Sequence, residues 1–133
     1  MRREVEGFVL NRLQGVLLRE AWALYEEGYA SLEDIDKTIS AGLGLRWSFM
    51  GPFETIDMNA PGGVADYAER LGPLYHSIQK SRDDPQPWSP ELIAKVERER
   101  RLKLETGDFE SRRQWRDRRL MALAAHKSAQ PDT

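Results

Sequence analysis

The stretch that decides the fold is GFVLNRLQGVLLREAWALYEEG, residues 7–28. With successive residues placed about 100° apart around a helix, apolar side chains cover most of the circumference. They are Val9, Leu10, Leu13, Val16, Leu17, Leu18, Ala21, Trp22, Leu24 and Tyr25. Only Arg12, Arg19 and Glu26 form a narrow charged stripe. The pattern predicts one helix of about six turns that is buried as a central element, and Gly28 is expected to end it in the left-handed conformation.

Two polar residues, Asn11 and Gln14, interrupt the apolar side of this helix. Asn11 shares a stripe with Gly15, Leu18 and Trp22, so we do not expect its amide to face open water. The helix pattern by itself favours a structural amide that hydrogen-bonds a neighbouring helix. The alternative is a functional side chain at the border of a cleft.

The composition is that of one globular domain. The chain has 133 residues, of which 32% are charged and 40% hydrophobic, and its net charge is −2. It has no cysteine, which excludes disulfides, thiolate catalysis and cysteine-type zinc sites. No apolar run approaches the ~20 residues that a membrane-spanning helix needs, and the N-terminus makes a poor signal peptide. These features predict no membrane partner and a cytoplasmic location.

Start and stop signals divide the rest of the chain into further helices. Ser31 is a predicted N-cap, and residues 42–44, Gly-Leu-Gly, are expected to form a flexible connection between helices. Pro52 and Pro90 each suit the first turn of a helix. A last helix is predicted from about Phe109 to His126. No convincing strand is present, so the predicted fold class is all-α.

Four segments in a fixed order carry a resemblance to a known family. They are GFVLNRLQ (7–14), EAWALYEEG (20–28), SLEDID (31–36) and GLGLRWSFMGPFETID (42–57). Together they resemble the C-terminal domain of the 3-hydroxyacyl-CoA dehydrogenase family, and within it the lambda-crystallin and L-gulonate 3-dehydrogenase branch. The resemblance runs from about Val5 to Leu74 and more loosely through RRQWRDRRLMALA (112–124). The first segment, G-F-x-x-N-R-L, would not be specific without the other three.

The resemblance implies a domain organisation. Residues 1–80 are expected to form a compact helical domain of the 6-phosphogluconate dehydrogenase C-terminal-like type, which binds substrate and dimerises. Residues 81–133 are expected to form a linker, rich in proline and charge, and a two-helix extension of the same domain. The implied assembly is a homodimer.

The resemblance also implies site residues. Asn11 matches an asparagine of the family's active site, where it stands beside a His–Glu pair that a preceding nucleotide-binding domain supplies. Arg46 and Trp47 precede the M-G-P-F segment, as in the lambda-crystallin branch, and Arg46 could bind the carboxylate of a small hydroxy acid through two parallel hydrogen bonds. The alternative for this pair is a surface arginine beside a core tryptophan.

The expected function is the substrate-binding part of an NAD-dependent oxidoreductase of fatty acid metabolism. Joined to a Rossmann domain, the chain would oxidise a 3-hydroxy acid or its CoA thioester. No G-x-G-x-x-G fingerprint follows a strand, so this chain is predicted to bind no cofactor and to be inactive by itself. The alternative is a stand-alone helical dimerisation or interaction module without catalytic activity.

Two further features predict no additional ligand. His76 and His126 lie outside any cluster with metal-ligand spacing, so we predict no metal. The arginine-rich run from Arg112 to Arg119 spreads around its helix and is interrupted by acidic residues, which indicates a solvated face and no nucleic-acid partner.

Overall fold

The computed structural model describes residues 3–132, and over these residues it is helical, without a β-strand. The predicted all-α class is confirmed. The helices are α1 (Phe8–Glu26), α2 (Leu32–Thr38), a π-helix (Ile39–Leu43), α3 (Gly44–Arg46), α4 (Pro52–Met58), α5 (Gly63–Lys80), α6 (Pro90–Lys103), a 3-10 helix (Thr106–Asp108) and α7 (Phe109–Ala129).

The chain separates into two compact units, the first ending at Thr55 and the second beginning at Ile56. The boundary lies inside α4 and does not coincide with residue 80. The division into a core over residues 1–80 and an extension over residues 81–133 stays a prediction.

In the first unit, α1 ends as its sequence predicts. Gly28 has φ 80° and donates its N–H to the Tyr25 carbonyl, while the N–H of Tyr29 bonds the Leu24 carbonyl. This pair of bonds is the Schellman arrangement, and it requires a residue that tolerates the left-handed conformation. Glycine supplies that conformation without the cost of a Cβ.

The side chains of α1 are less buried than their pattern predicts. Leu10 is 75% exposed and Leu13 is 59% exposed, whereas Tyr25 is the buried residue of this helix. The prediction of a buried central helix is therefore wrong for the described chain. The physical reason is that the apolar side chains of the N-terminal half of α1 have too little of the first unit to pack against.

The connection predicted to be flexible, residues 42–44, is helical. Ser31 caps α2 by accepting the Asp34 N–H on its Oγ, at 3.1 Å. The chain then widens into a π-turn, in which the Gly44 N–H bonds the Ile39 carbonyl five residues earlier. A Cβ on Gly44 would lie 2.8 Å from that carbonyl oxygen. Gly44 is present because the oxygen occupies the space of a side chain, not because the segment must bend.

In the second unit, a carboxylate joins α4 to α5. Asp57 Oδ1 accepts the Val64 N–H at 2.9 Å, and Gly63, with φ 78°, makes the turn between them. Asp66 reaches back from the first turn of α5 and accepts the Gly62 N–H at 2.9 Å. Both bonds satisfy N–H groups that the start of a helix leaves without partners.

The second unit also contains α6 and α7. Ser89 caps α6 by accepting the Leu92 N–H at 3.1 Å, and Leu92 is buried. Helix α7 begins at Phe109, as predicted, and ends at Ala129.

Candidate functional site

Asn11 lies in the second turn of α1, on the surface of the first unit. Its side chain is exposed and forms no hydrogen bond with any residue between 3 and 132. Together with Arg12, Gly15, Val16 and Arg19 it lines an open groove of about 260 Å³. The expectation that the amide avoids open water is wrong here, because no other helix of the first unit covers this stripe.

Gly15 keeps the groove open next to Asn11. A Cβ at this position would meet nothing within 4 Å, so no packing inside the chain requires a glycine. Glycine in a helix interior costs about 0.8–1.0 kcal/mol relative to alanine. The open space therefore suits a group from outside the described chain that approaches α1 beside the Asn11 amide.

Arg12 and Arg19 are the charged residues that line this groove, and neither is a predicted site residue. Both side chains are exposed, and neither forms an ion pair with a residue in the described part of the chain. They stand two turns apart, about 10 Å along the helix axis. The sequence signal that could have identified them is the charged stripe of α1. In this stripe Arg12 lies three residues before Gly15, and Arg19 lies four residues after it.

Arg46 and Trp47 lie at the end of α3, after the π-turn. Arg46 is exposed, Trp47 is half-buried, and the Trp47 N–H bonds the Leu43 carbonyl at 3.1 Å. Neither residue is among those that line the groove. The groove thus combines Asn11 with Arg12 and Arg19, and it does not include the Arg46–Trp47 pair.

A larger cavity, of about 370 Å³, lies in the second unit at the junction of α6 and α7. It is lined by Leu104, Phe109, Arg112, Arg113, Trp115 and Arg116. Guanidinium groups cover its aromatic rings. Arg112 and Arg119 lie over Trp115, at 3.8 and 4.4 Å from its ring centroid, and Arg101 lies over Phe109 at 4.4 Å.

These contacts give several arginines of the arginine-rich run a structural role, the stacking on aromatic rings. A guanidinium over an exposed ring contributes about 0.5–1 kcal/mol. Arg101 of α6 stacks on Phe109 of α7 and so ties the two helices together, whereas Arg112 and Arg119 stack on Trp115 within α7. Arg116 also pairs with Asp117 at 2.9 Å.

Two ionisable side chains of the described residues have shifted pKa values, Asp66 and Lys37, and neither lines the groove. The Gly62 N–H and the Arg70 guanidinium hold the pKa of Asp66 below its ordinary value, because both stabilise the ionised carboxylate. The hydrogen bond to Glu33 raises the pKa of Lys37.

Residues 3–132 contain no group of three or more histidine and acidic side chains that could hold a metal ion. No helix within residues 3–132 combines the length and the hydrophobicity that a membrane-spanning segment requires.

Comparisons with known proteins give the family. The sequence profile of the 3-hydroxyacyl-CoA dehydrogenase C-terminal domain matches residues 7–108, a range that includes α1, the groove and α6. The human lambda-crystallin homolog is 41% identical over 131 residues, which cover 96% of this chain and 40% of that protein.

Two relatives with other names match shorter segments. An L-carnitine dehydrogenase of Streptomyces griseus is 45% identical over 97 residues, or 69% of this chain and 26% of that protein. A 3-hydroxyacyl-CoA dehydrogenase of Gibberella moniliformis is 38% identical over 84 residues, or 63% of this chain and 26% of that protein.

The chain spans about 40% of the length of the lambda-crystallin homologs that it matches. The profile match and these identities agree with the resemblance carried by residues 7–57. The chain belongs to the 3-hydroxyacyl-CoA dehydrogenase C-terminal domain family.

Proposed function

We propose that this chain is the substrate-binding and dimerisation domain of an NAD-dependent dehydrogenase that oxidises a 3-hydroxy acid or its CoA thioester. The observation that carries the proposal is the exposed Asn11 amide, which has no hydrogen-bond partner among residues 3–132 and borders a groove kept open by Gly15. A structural amide would have a partner within its own domain, because an unpaired buried amide is costly.

The role proposed for Asn11 is to position the reacting oxygen of the substrate. Its amide N–H can donate a hydrogen bond to the oxygen that changes from hydroxyl to carbonyl, and it can hold the reacting carbon in line for hydride transfer. A neutral donor in this place also stabilises charge that develops on the oxygen.

NAD is assigned to a separate Rossmann domain. The residues that the structure describes include no strand, whereas the dinucleotide fingerprint needs a strand, a glycine-rich turn and a helix. The proposed general base is the family's His–Glu pair in that same domain, since neither His76 nor His126 lines the groove of Asn11.

The homodimer is proposed from the exposed side of α1. Leu10, Leu13 and Val16 are each more than half exposed, and an apolar patch of this kind marks an interaction surface. The rest of this apolar surface is proposed to contact the nucleotide-binding domain.

Arg46 and Trp47 remain candidates for substrate binding. Arg46 forms no ion pair with the described residues, so its guanidinium is available for a carboxylate. Because this pair does not line the Asn11 groove, its contact with the substrate is a separate proposal from that of Asn11. A cytoplasmic location also stays a prediction from the sequence.

The test uses the complete dehydrogenase, with the NAD domain present, and compares Asn11→Ala with Gln14→Ala. Gln14 is an exposed residue of the same helix that does not line the groove. Asn11→Ala should lower kcat by about 100- to 1000-fold, as loss of a transition-state donor does, with a smaller change in substrate binding. Full activity of Asn11→Ala would show that the Asn11 amide does not position the reacting oxygen.

A further inference from the structure

We propose that the cavity at the junction of α6 and α7 binds a nucleotide that ends in a phosphomonoester group. Arg112, Arg113 and Arg116 hold the phosphate. The base packs against the rings of Phe109 and Trp115. The cavity belongs to the second unit, so the inference is independent of the substrate groove on α1. Five of the six lining residues follow residue 108, where the family profile match ends.

The arginines bring an excess of positive charge to this cavity. Residues 109–119 hold five arginines and two acidic residues, a net charge of +3. Arg112 forms no ion pair with the described residues, and Arg113 has a long contact with Glu110, at 3.6 Å. Arg116 pairs with the aspartate that follows it, at 2.9 Å. The charge that remains favours an anionic ligand.

Stacking holds Arg112 in an orientation that suits a phosphate. Its guanidinium carbon lies over the ring of Trp115, 3.8 Å from the ring centroid. The N–H donors of a guanidinium lie in its plane, so contact through the face leaves them available for two parallel hydrogen bonds to phosphate oxygens. Because the ring already restricts the side chain, binding a phosphate costs less conformational entropy.

The walls of the cavity suit the organic part of a nucleotide. Leu104, Phe109 and Trp115 supply apolar and aromatic surface. Heterocyclic bases stack on aromatic rings and on the guanidinium planes of arginines. The volume of about 370 Å³ lies within the ~300–1,000 Å³ of small-molecule sites. The cavity therefore has the size for a mononucleotide, not for a length of nucleic acid.

A phosphomonoester matches three guanidinium groups better than a phosphodiester does. At pH 7 a phosphomonoester carries a charge of about −1.5 to −2 and presents three acceptor oxygens. Each phosphate of NAD is a diester with one negative charge. The site should therefore discriminate against NAD, in keeping with the expectation that this chain binds no cofactor.

The experiment titrates the full chain with AMP, adenosine and inorganic phosphate and follows the amides of α7 by NMR. AMP should bind at least about tenfold more tightly than the other two probes, because each of them lacks one half of the recognised chemistry. Arg112→Gln should raise the Kd for AMP about tenfold, because it loses a charge-assisted contact. Arg112→Lys keeps the charge without the planar fork and should recover only part of the affinity.

Arg118→Gln is the matched control. Arg112 and Arg118 are both exposed residues of α7, and Arg118 does not line the cavity. Its substitution removes the same charge and should change the Kd for AMP by less than about threefold. Equal losses for Arg112→Gln and Arg118→Gln would overturn the assignment, since they would reflect net charge alone.

Three other results would also overturn it. They are no binding of AMP, binding of adenosine, inorganic phosphate or NADH as tight as that of AMP, and affinity for single-stranded oligonucleotides that grows with each added nucleotide. CoA carries the same phosphomonoester group on its ribose and separates the two natural sources. If CoA binds more tightly than AMP, the source is CoA. Otherwise the source is a free nucleotide.

Discussion

The amide N–H of Gly44 bonds the carbonyl of Ile39, five residues earlier, and that carbonyl oxygen lies 2.8 Å from where a Cβ of Gly44 would be. The two residues close a π-turn directly ahead of Arg46. Such turns are uncommon and are frequent at functional sites. Here the turn sets the direction in which Arg46 and Trp47 leave the helix.

Substituting alanine at Gly44 and at Gly42 should give opposite results. Gly44→Ala forces a methyl group against a backbone oxygen and should lower the free energy of unfolding by about 1–3 kcal/mol. Gly42→Ala meets nothing within 4 Å and should leave stability unchanged or raise it by up to about 1 kcal/mol. Urea unfolding of both variants measures the difference. Equal stabilities would mean that the π-turn relaxes without cost.

The turn between α4 and α5 should tolerate a side chain at its glycine as poorly as the π-turn does at Gly44. Gly63 has φ 78°, and a Cβ there would lie 2.8 Å from Asp57 Oδ1. Gly63→Ala should cost at least about 1–2 kcal/mol from the left-handed backbone. Gly107→Ala, where the space is open, is the control and should be nearly neutral. A Gly63→Ala protein as stable as the wild type would show that the turn rearranges.

Gly15→Ala separates stability from binding at the groove. The methyl group enters open space in a helix interior, so the free energy of unfolding should rise by up to about 1 kcal/mol. In the complete enzyme the same methyl group should raise KM, because it fills the space beside Asn11. Differential scanning fluorimetry and steady-state kinetics measure the two effects. An unchanged KM would place the substrate elsewhere.

Asp66 should make the second unit sensitive to acid. Its pKa is lowered in the folded state from an ordinary 3.8, so its contribution to stability is fully present above that value. The contribution is lost as the pH falls through 3.8 towards the folded pKa. Asp66→Asn should therefore flatten the decline in stability between about pH 5 and pH 3. A decline equal to that of the wild type would show that other carboxylates dominate.

The features that could be predicted from the sequence depend on a few neighbouring residues. Ser31 and Gly28 make their predicted caps because each bond closes within about one turn of the chain. The π-turn was missed, since the letters Gly-Leu-Gly also suit a flexible loop, and only the Ile39 oxygen shows why Gly44 is needed.

The sequence could not predict which apolar side chains of α1 are buried within this chain. The apolar pattern of α1 indicates that its side chains avoid water, but the pattern does not say whether the cover comes from the same chain. Asn11 illustrates the consequence for the site. Its family match pointed to a role, whereas the structure was needed to show that Arg12 and Arg19 share its groove.

The exposed N-terminal half of α1 has a consequence in the cell. A helix that leaves Leu10 and Leu13 in water is attractive to chaperones and proteases until a partner covers it. If the cover is a second copy, the melting temperature should climb as the chain is concentrated, since association stabilises by mass action. The survival of a newly made domain is then governed by how soon it meets its partner.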